Sequence, residues 1–176
     1  MQSRFWLIAL TLLVILPCGQ SAKLPSFGDY PVVEIYSGDV KLPDFGDPGE
    51  YRGTDLRCFQ NPGDYTGEQV NFAGHFVIAA CRCGSGCHYL FMWDAQTGEL
   101  YRRFPFGPIN IGPYVAGAGV QNLEFKGEQH HPDRALLIVD GCIEDTCDCA
   151  TRYYHWNGKQ FKLIQRQRSR IPARCS

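Results

Sequence analysis

The chain has 176 residues, 17 basic against 18 acidic side chains, and nine cysteines. A net charge of −1 leaves no electrostatic footprint for nucleic acid. The length suits one domain with its own core, and the cysteine count directs attention to an oxidising compartment.

Residues 1–22 read as a signal peptide. One positive charge, Arg4, precedes the uncharged run from Phe5 to Leu16. That run matches an h-region and is too short to span a bilayer as a helix. Pro17 ends it, and Gly19, Gln20, Ser21 and Ala22 offer a cleavage site near Ser21 or Ala22. Ile15-Leu16-Pro17-Cys18 loosely matches a lipobox, but Pro17 stands where a small flexible residue belongs, so lipidation at Cys18 is the lesser expectation. Export to the periplasm or the medium is expected, with no transmembrane segment left after cleavage. The mature chain would carry 16 bases and 18 acids.

Residues 23–57 form an extended arm rich in Pro, Gly and Asp, with one short strand expected over Val32-Val33-Glu34-Ile35-Tyr36. Leu24-Pro25-Ser26-Phe27-Gly28-Asp29 returns as Leu42-Pro43-Asp44-Phe45-Gly46-Asp47, a repeated turn rather than a solenoid.

Residues 58–176 read as a disulfide-stabilised β domain. Phe76 to Cys81 is a short apolar run that stops at the Cys83-Gly84-Ser85-Gly86-Cys87 loop, the signature of a buried strand. His88–Trp93 and Glu99–Phe104 flank a turn over Asp94–Gly98. Ala135 to Asp140 reads as a central buried strand. Thr151–Trp156 and Lys159–Ile164 flank Asn157-Gly158, a strong hairpin signal. A two-residue type I′ turn there pairs Tyr154 with Phe161 and puts Trp156 and Leu163 on the same buried face. No stretch has the period of an amphipathic helix. The fold class is therefore all-β, an antiparallel sheet of hairpins arranged as a meander, sandwich or barrel, stapled by disulfides and with little helix.

Setting Cys18 aside, eight cysteines remain: Cys58, Cys81, Cys83, Cys87, Cys142, Cys147, Cys149 and Cys175. An even set behind a signal peptide predicts four disulfides among 105 possible pairings. Members of Cys81-Arg82-Cys83 and of Cys147-Asp148-Cys149 are two apart, so each reaches outside its own triplet. The simplest arrangement has the two clusters on adjacent strands, cross-linked.

Several strings carry a resemblance: Tyr30-Pro31-Val32-Val33-Glu34-Ile35-Tyr36, Asn71-Phe72-Ala73-Gly74-His75-Phe76, the Cys83–Cys87 loop, Thr97-Gly98-Glu99-Leu100-Tyr101, and Tyr153 through Phe161. In that order they resemble a group of small secreted bacterial proteins with no activity to carry over. The resemblance implies a Gram-negative envelope or secreted setting. The Asp94–Tyr101 turn also resembles a blade turn of quinoprotein-type propellers, which a chain this short cannot close.

Few constellations carry chemistry. Cys81, Cys83, Cys87 and His88, with His75, His130 and His131, are soft ligands of the kind zinc or copper takes. Yet no Cys-x-x-Cys occurs, and oxidation would consume the thiolates. Gly84-Ser85-Gly86 does not match a nucleophile elbow. His75 with Asp140 or Asp145 is an imaginable base and orienter without support from spacing. Asp140, Glu144, Asp145 and Asp148 crowd one loop but lack the pattern of a calcium loop. Gly112 to Gly119 is neither Walker nor Rossmann, and no cofactor is implied. A basic C-terminal run, Lys159 to Arg174, contains no acid. It reads as a solvated strand edge and tail, with pairing to an anionic surface as the alternative. The leading expectation is an exported binding or inhibitor module whose loops present Tyr, Trp and Arg to an envelope or secreted protein or a glycan. The alternative is a metal-binding protein or hydrolase using His75 and the Cys81–Cys87 loop.

Overall fold

The computed structural model describes residues 23–46, 62–84, 87–101, 104, 109–110, 126–143 and 149–168. Residues 1–22, read above as a signal peptide, Ser85, Glu144, Asp145, Asp148 and the Gly112–Gly119 stretch lie outside them. Eight antiparallel strands make the sheet: β1 (Phe76–Gly84), β2 (Cys87–Asp94), β3 (Leu100–Tyr101), β4 (Ile109–Asn110), β5 (Gly127–Gln129), β6 (Leu136–Ile143), β7 (Cys149–Trp156) and β8 (Phe161–Arg168). The order is β1-β2-β4-β6-β7-β8, with β3 also on β2 and β5 also on β6. The fold is all-β, and the described helical structure is two short 3-10 turns, Phe27–Asp29 and Pro62–Tyr65.

Topology divides the sheet into two halves. β1, β2 and β3 form one; β5 through β8 form the other. The short strand β4 joins them, pairing with Cys87 and His88 at one end of β2 and with Cys142 and Ile143 at one end of β6. Away from that corner the halves share one core. Ile78, Leu90 and Met92 of the first half cluster with Leu137, Val139, Tyr154, Trp156 and Phe161 of the second. Ring contacts cross the divide: Phe76 to Trp156 at 5.3 Å and Tyr101 to Trp156 at 4.8 Å.

The alternation of β1 and β2 feeds two cores. Register pairs Ile78 with Met92 on the inner face and Val77 with Trp93 on the outer one. The outer face is covered by the arm and the 62–65 turn, where Phe45 and Tyr65 pack with Val77, Cys81, Phe91 and Trp93. Burying side chains of this size contributes about 1.5–3 kcal/mol each. Both faces of the strand are packed at Val77 and Ile78, which is why Phe76–Cys81 reads as a continuous apolar run; Ala80 near its end is exposed.

The arm does not form the expected strand over Val32–Tyr36. It meets the body through an isolated Pro31–Arg134 bridge and through single bonds, Val32 N–H to Asp133 O at 3.1 Å and Tyr36 N–H to Gly74 O at 2.7 Å. Those anchors are too sparse for a ladder. Val32 and Tyr36 pack inward, whereas Val33 and Ile35 point to solvent. Further on, the indole of Trp93 donates to Lys41 O at 2.9 Å, and Asp44 N–H donates to Gly98 O at 2.8 Å.

The Asn157-Gly158 hairpin forms with a different turn. Register pairs Trp156 with Phe161 and Tyr154 with Leu163, so the loop has four residues. Asn157 does not take positive φ. Its side-chain oxygen accepts the N–H groups of Lys159 and Gln160, both at 3.0 Å, and this local bonding outcompetes the type I′ turn. The slip is even as far as Tyr154, so Tyr154, Trp156, Phe161 and Leu163 keep a common face; a register shift between Tyr153 and Tyr154 ends that correspondence further along. Leu163 is nevertheless 46% exposed, because β8 is an edge strand.

Cys142 and Cys149 face one another across β6 and β7 and are disulfide-bonded. Cys149 does reach outside its triplet, but to its own hairpin neighbour rather than to the Cys81–Cys83 cluster. Adjacency across a hairpin is cheaper to form than a link between distant strands. Cys81 is also disulfide-bonded. The side chains of Cys58, Cys83, Cys87, Cys147 and Cys175 lie outside the described residues.

Candidate functional site

His75 closes the tight turn that leads into β1. Phe72 and Phe76 exchange backbone bonds of 3.1 and 3.0 Å around Ala73, Gly74 and His75. Ala73 has φ 45°, the one described non-glycine residue with positive φ, and Gly74 follows at 85°. An alanine in that region costs on the order of 1–2 kcal/mol. The surroundings hold it there: Ala73 N–H donates to Arg134 O at 3.1 Å and Gly74 N–H to Pro132 O at 2.7 Å. This strain lies two residues from the histidine, the placement expected where backbone geometry is being imposed for a purpose.

Register then delivers a partner. Phe76 lies opposite Asp94, so His75 stands beside the start of the β2–β3 turn. Its Nδ1 is 3.0 Å from Asp94 Oδ2. Asp94 Oδ1 accepts the backbone N–H groups of Gln96 at 2.7 Å and Thr97 at 3.2 Å. The carboxylate is thereby fixed by its own turn and oriented on the imidazole. The imidazole also lies 4.0 Å, centroid to centroid, from the ring of Phe76. Because an ionised carboxylate only accepts, the neutral imidazole carries its proton on Nδ1 and turns Nε2 outward as an acceptor.

Both residues line an open cleft of about 300 Å³ between the β2–β3 turn and the β7–β8 turn, together with Glu99, Tyr101, Trp156 and Lys159. Trp156 is a core residue at 6% exposure. Among the described residues, no protein partner takes the His75 Nε2, the Trp156 Nε1, the Glu99 carboxylate or the Lys159 ammonium. The residues lining the cleft thus carry two acceptors and two donors without protein partners, Glu99 and Lys159 on exposed turn positions, beside a carboxylate already satisfied.

Of the anticipated partners of His75, Asp140 is engaged elsewhere and Asp145 lies outside the described residues. Asp140 accepts from Lys126 N–H at 3.0 Å and from the Thr151 hydroxyl at 2.9 Å, which ties β6 to β7. Among the described residues no three His, Cys, Asp or Glu side chains converge; the side chains of Cys83, Cys87 and His88 lie outside them. His130 Nδ1 lies 3.0 Å from Asn71 O, His131 meets the ring of Phe27 edge-on, and Cys81 is in a disulfide. Sequence reasoning reached His75 and missed Asp94, Glu99 and Lys159 as its neighbours. The sequence carried only part of the signal: a hairpin closed at Gly84 and Cys87 would set residue 76 opposite residue 95, and the register shift between Arg82 and Gly84 brings it opposite residue 94.

One buried cation lies in the second half of the sheet. Arg152, 3% exposed, donates to Gly141 O and Ala150 O, each at 3.3 Å. Burial lowers its pKa and raises that of Tyr154, and each group partly offsets the other's shift. These residues do not line the cleft.

Compared with protein-family models, curated proteins and solved structures, the chain matches none. Among the described residues no helix is long and apolar enough to cross a membrane.

Proposed function

We propose that the chain is an exported binding module of the bacterial envelope or its surroundings, and that its ligand seat is the cleft carrying His75 and Asp94. One observation carries the reading: His75, Glu99, Trp156 and Lys159, whose Nε2, carboxylate, Nε1 and ammonium have no protein partner among the described residues, line one cleft between two hairpin turns. Preformed concave sites with a few placed polar groups are where small ligands bind. The volume stands at the lower end for such sites, which suits a fragment of ring size. Export is supported by the N-terminal pattern of residues 1–22 and by the Cys142–Cys149 disulfide.

The test follows ring-nitrogen and indole resonances of His75 and Trp156 while fractionated envelope extract is added to labelled mature protein. At least one fraction shifts both, and Glu99→Lys abolishes the response. A ligand that binds tightly while leaving both resonances unmoved would place the seat elsewhere.

A hydrolytic reading is favoured by the same His75–Asp94 pair, since an imidazole oriented by a carboxylate is half of an acid–base unit. Turnover of an ester or glycoside by the parent, lost in His75→Gln, would make the module an enzyme.

A further inference from the structure

Resting on the reading of the cleft as a ligand seat, we infer that its ligand is an uncharged saccharide unit. The argument is one of matching. Two carboxylates, Asp94 and Glu99, face one ammonium, Lys159, among the residues lining the cleft, which disfavours an anion. A simple cation would satisfy Glu99 but meet the ammonium of Lys159. Both acceptors, His75 Nε2 and the Glu99 carboxylate, and both donors, Trp156 Nε1 and Lys159 Nζ, lack protein partners among the described residues. A ligand must answer both kinds within one small volume. Hydroxyl groups both donate and accept, and a sugar ring carries several in a fixed array. A ligand offering one kind alone leaves the other kind unanswered where it covers the cleft.

The apolar part of the cleft agrees. Leu100, Phe76 and the edges of Tyr101 and Trp156 give it a carbon wall beside the polar groups, and a sugar ring has apolar C–H faces next to its hydroxyls. The opening toward solvent lets a longer glycan continue outward from the seated ring.

The experiment uses full-length mature protein and follows the Trp156 indole and His75 ring resonances. The probes are neutral mono- and disaccharides of gluco, galacto, manno and N-acetylated configuration; free amino acids and neutral dipeptides form the contrast set. The expected result is a saturable shift with at least one saccharide. Its affinity falls at least tenfold in Glu99→Gln, a change on an exposed side chain, at an unchanged thermal midpoint. No shift with any sugar at saturating concentration overturns the inference. A shift with dipeptides alone also overturns it while leaving the cleft a ligand seat. Binding of sugars that move neither resonance defeats both readings together.

Discussion

Nδ1 of His75 and Oδ2 of Asp94 lie 3.0 Å apart across a hairpin, joined by the register that sets Phe76 against Asp94. The relationship fixes which imidazole nitrogen faces the cleft. Asp94→Asn tests it. The backbone N–H groups of Gln96 and Thr97 should hold the amide oxygen, leaving the amide NH₂ to face the imidazole. His75 Nδ1 then becomes the acceptor and the proton moves to Nε2. Long-range nitrogen–proton correlation on neutral His75 should show the tautomer exchanged, at a stability cost of about 0.5–1.5 kcal/mol. An unchanged tautomer would mean that Asp94 does not set it.

The cross-strand disulfide gives a second expectation. Cys142 and Cys149 are seven residues apart and directly opposed. Replacing both by serine should lower stability by roughly 2–3 kcal/mol, from the entropy released to a loop of that length. For a chain of this size the thermal midpoint should fall by about 5–10 °C. The parent, unfolded without reductant and alkylated, should show no free thiol among its eight mature cysteines. More than two free thiols would defeat the four-bridge framework.

Local chemistry was legible; partner choice at long range was not. The turn over Asp94–Gly98 was readable because Asp, Thr and Gly there each do a local job: Asp94 caps Gln96 and Thr97, and Gly98 takes φ 81°. The central strand around Leu137 was readable because apolar residues fill both faces. Asn157 misled the register because the same side chain serves two turn types, and only its φ decides between them. Val32–Tyr36 looked like a strand because its side chains alternate, yet its backbone finds just two anchoring bonds. Alternation reports facing, not ladder formation. His75 stood out as a histidine, but nothing in a turn aspartate's sequence position signals that its second oxygen is left for an imidazole.

Acid titration should isolate the start of the arm. The Asp29 carboxylate accepts the Ser26 hydroxyl at 2.7 Å and the Ser26 N–H at 2.9 Å, with Lys23 Nζ 3.2 Å away. The Ser26 bonds above all hold its pKa down to about 2. A depressed carboxylate stabilises the folded state above its unfolded value near 3.8 and loses that contribution as pH falls through about 2. Carboxyl carbon shifts should therefore show Asp29 titrating below the other surface carboxylates. Ser26→Ala should move it back toward the ordinary range; coincidence with the bulk in the parent would show that the turn does not form in solution.

Two glycines with nearly the same backbone angle should respond very differently to alanine. Gly74 has φ 85° and Gly158 has φ 87°, so both substitutions carry the left-handed penalty of about 1–2 kcal/mol. Their surroundings differ. A Cβ on Gly158 meets nothing within 4 Å, whereas one on Gly74 would stand 2.5 Å from the carbonyl oxygen of Glu34. That oxygen belongs to the backbone and cannot swing aside. Gly74→Ala must therefore push the arm away at the point where Tyr36 N–H donates to Gly74 O. It should cost distinctly more than Gly158→Ala, raise hydrogen exchange at the Tyr36 amide, and leave the β7–β8 hairpin amides protected. It should also disturb the His75 resonances, because the strained turn carrying His75 is held between the arm and the 131–135 turn. Gly158→Ala should lower the thermal midpoint by its strain alone, with Tyr36 exchange unchanged. Equal midpoints for the two variants would mean that the arm does not grip the 72–76 turn. The backbone that positions His75 against Asp94 would then be set by the hairpin alone.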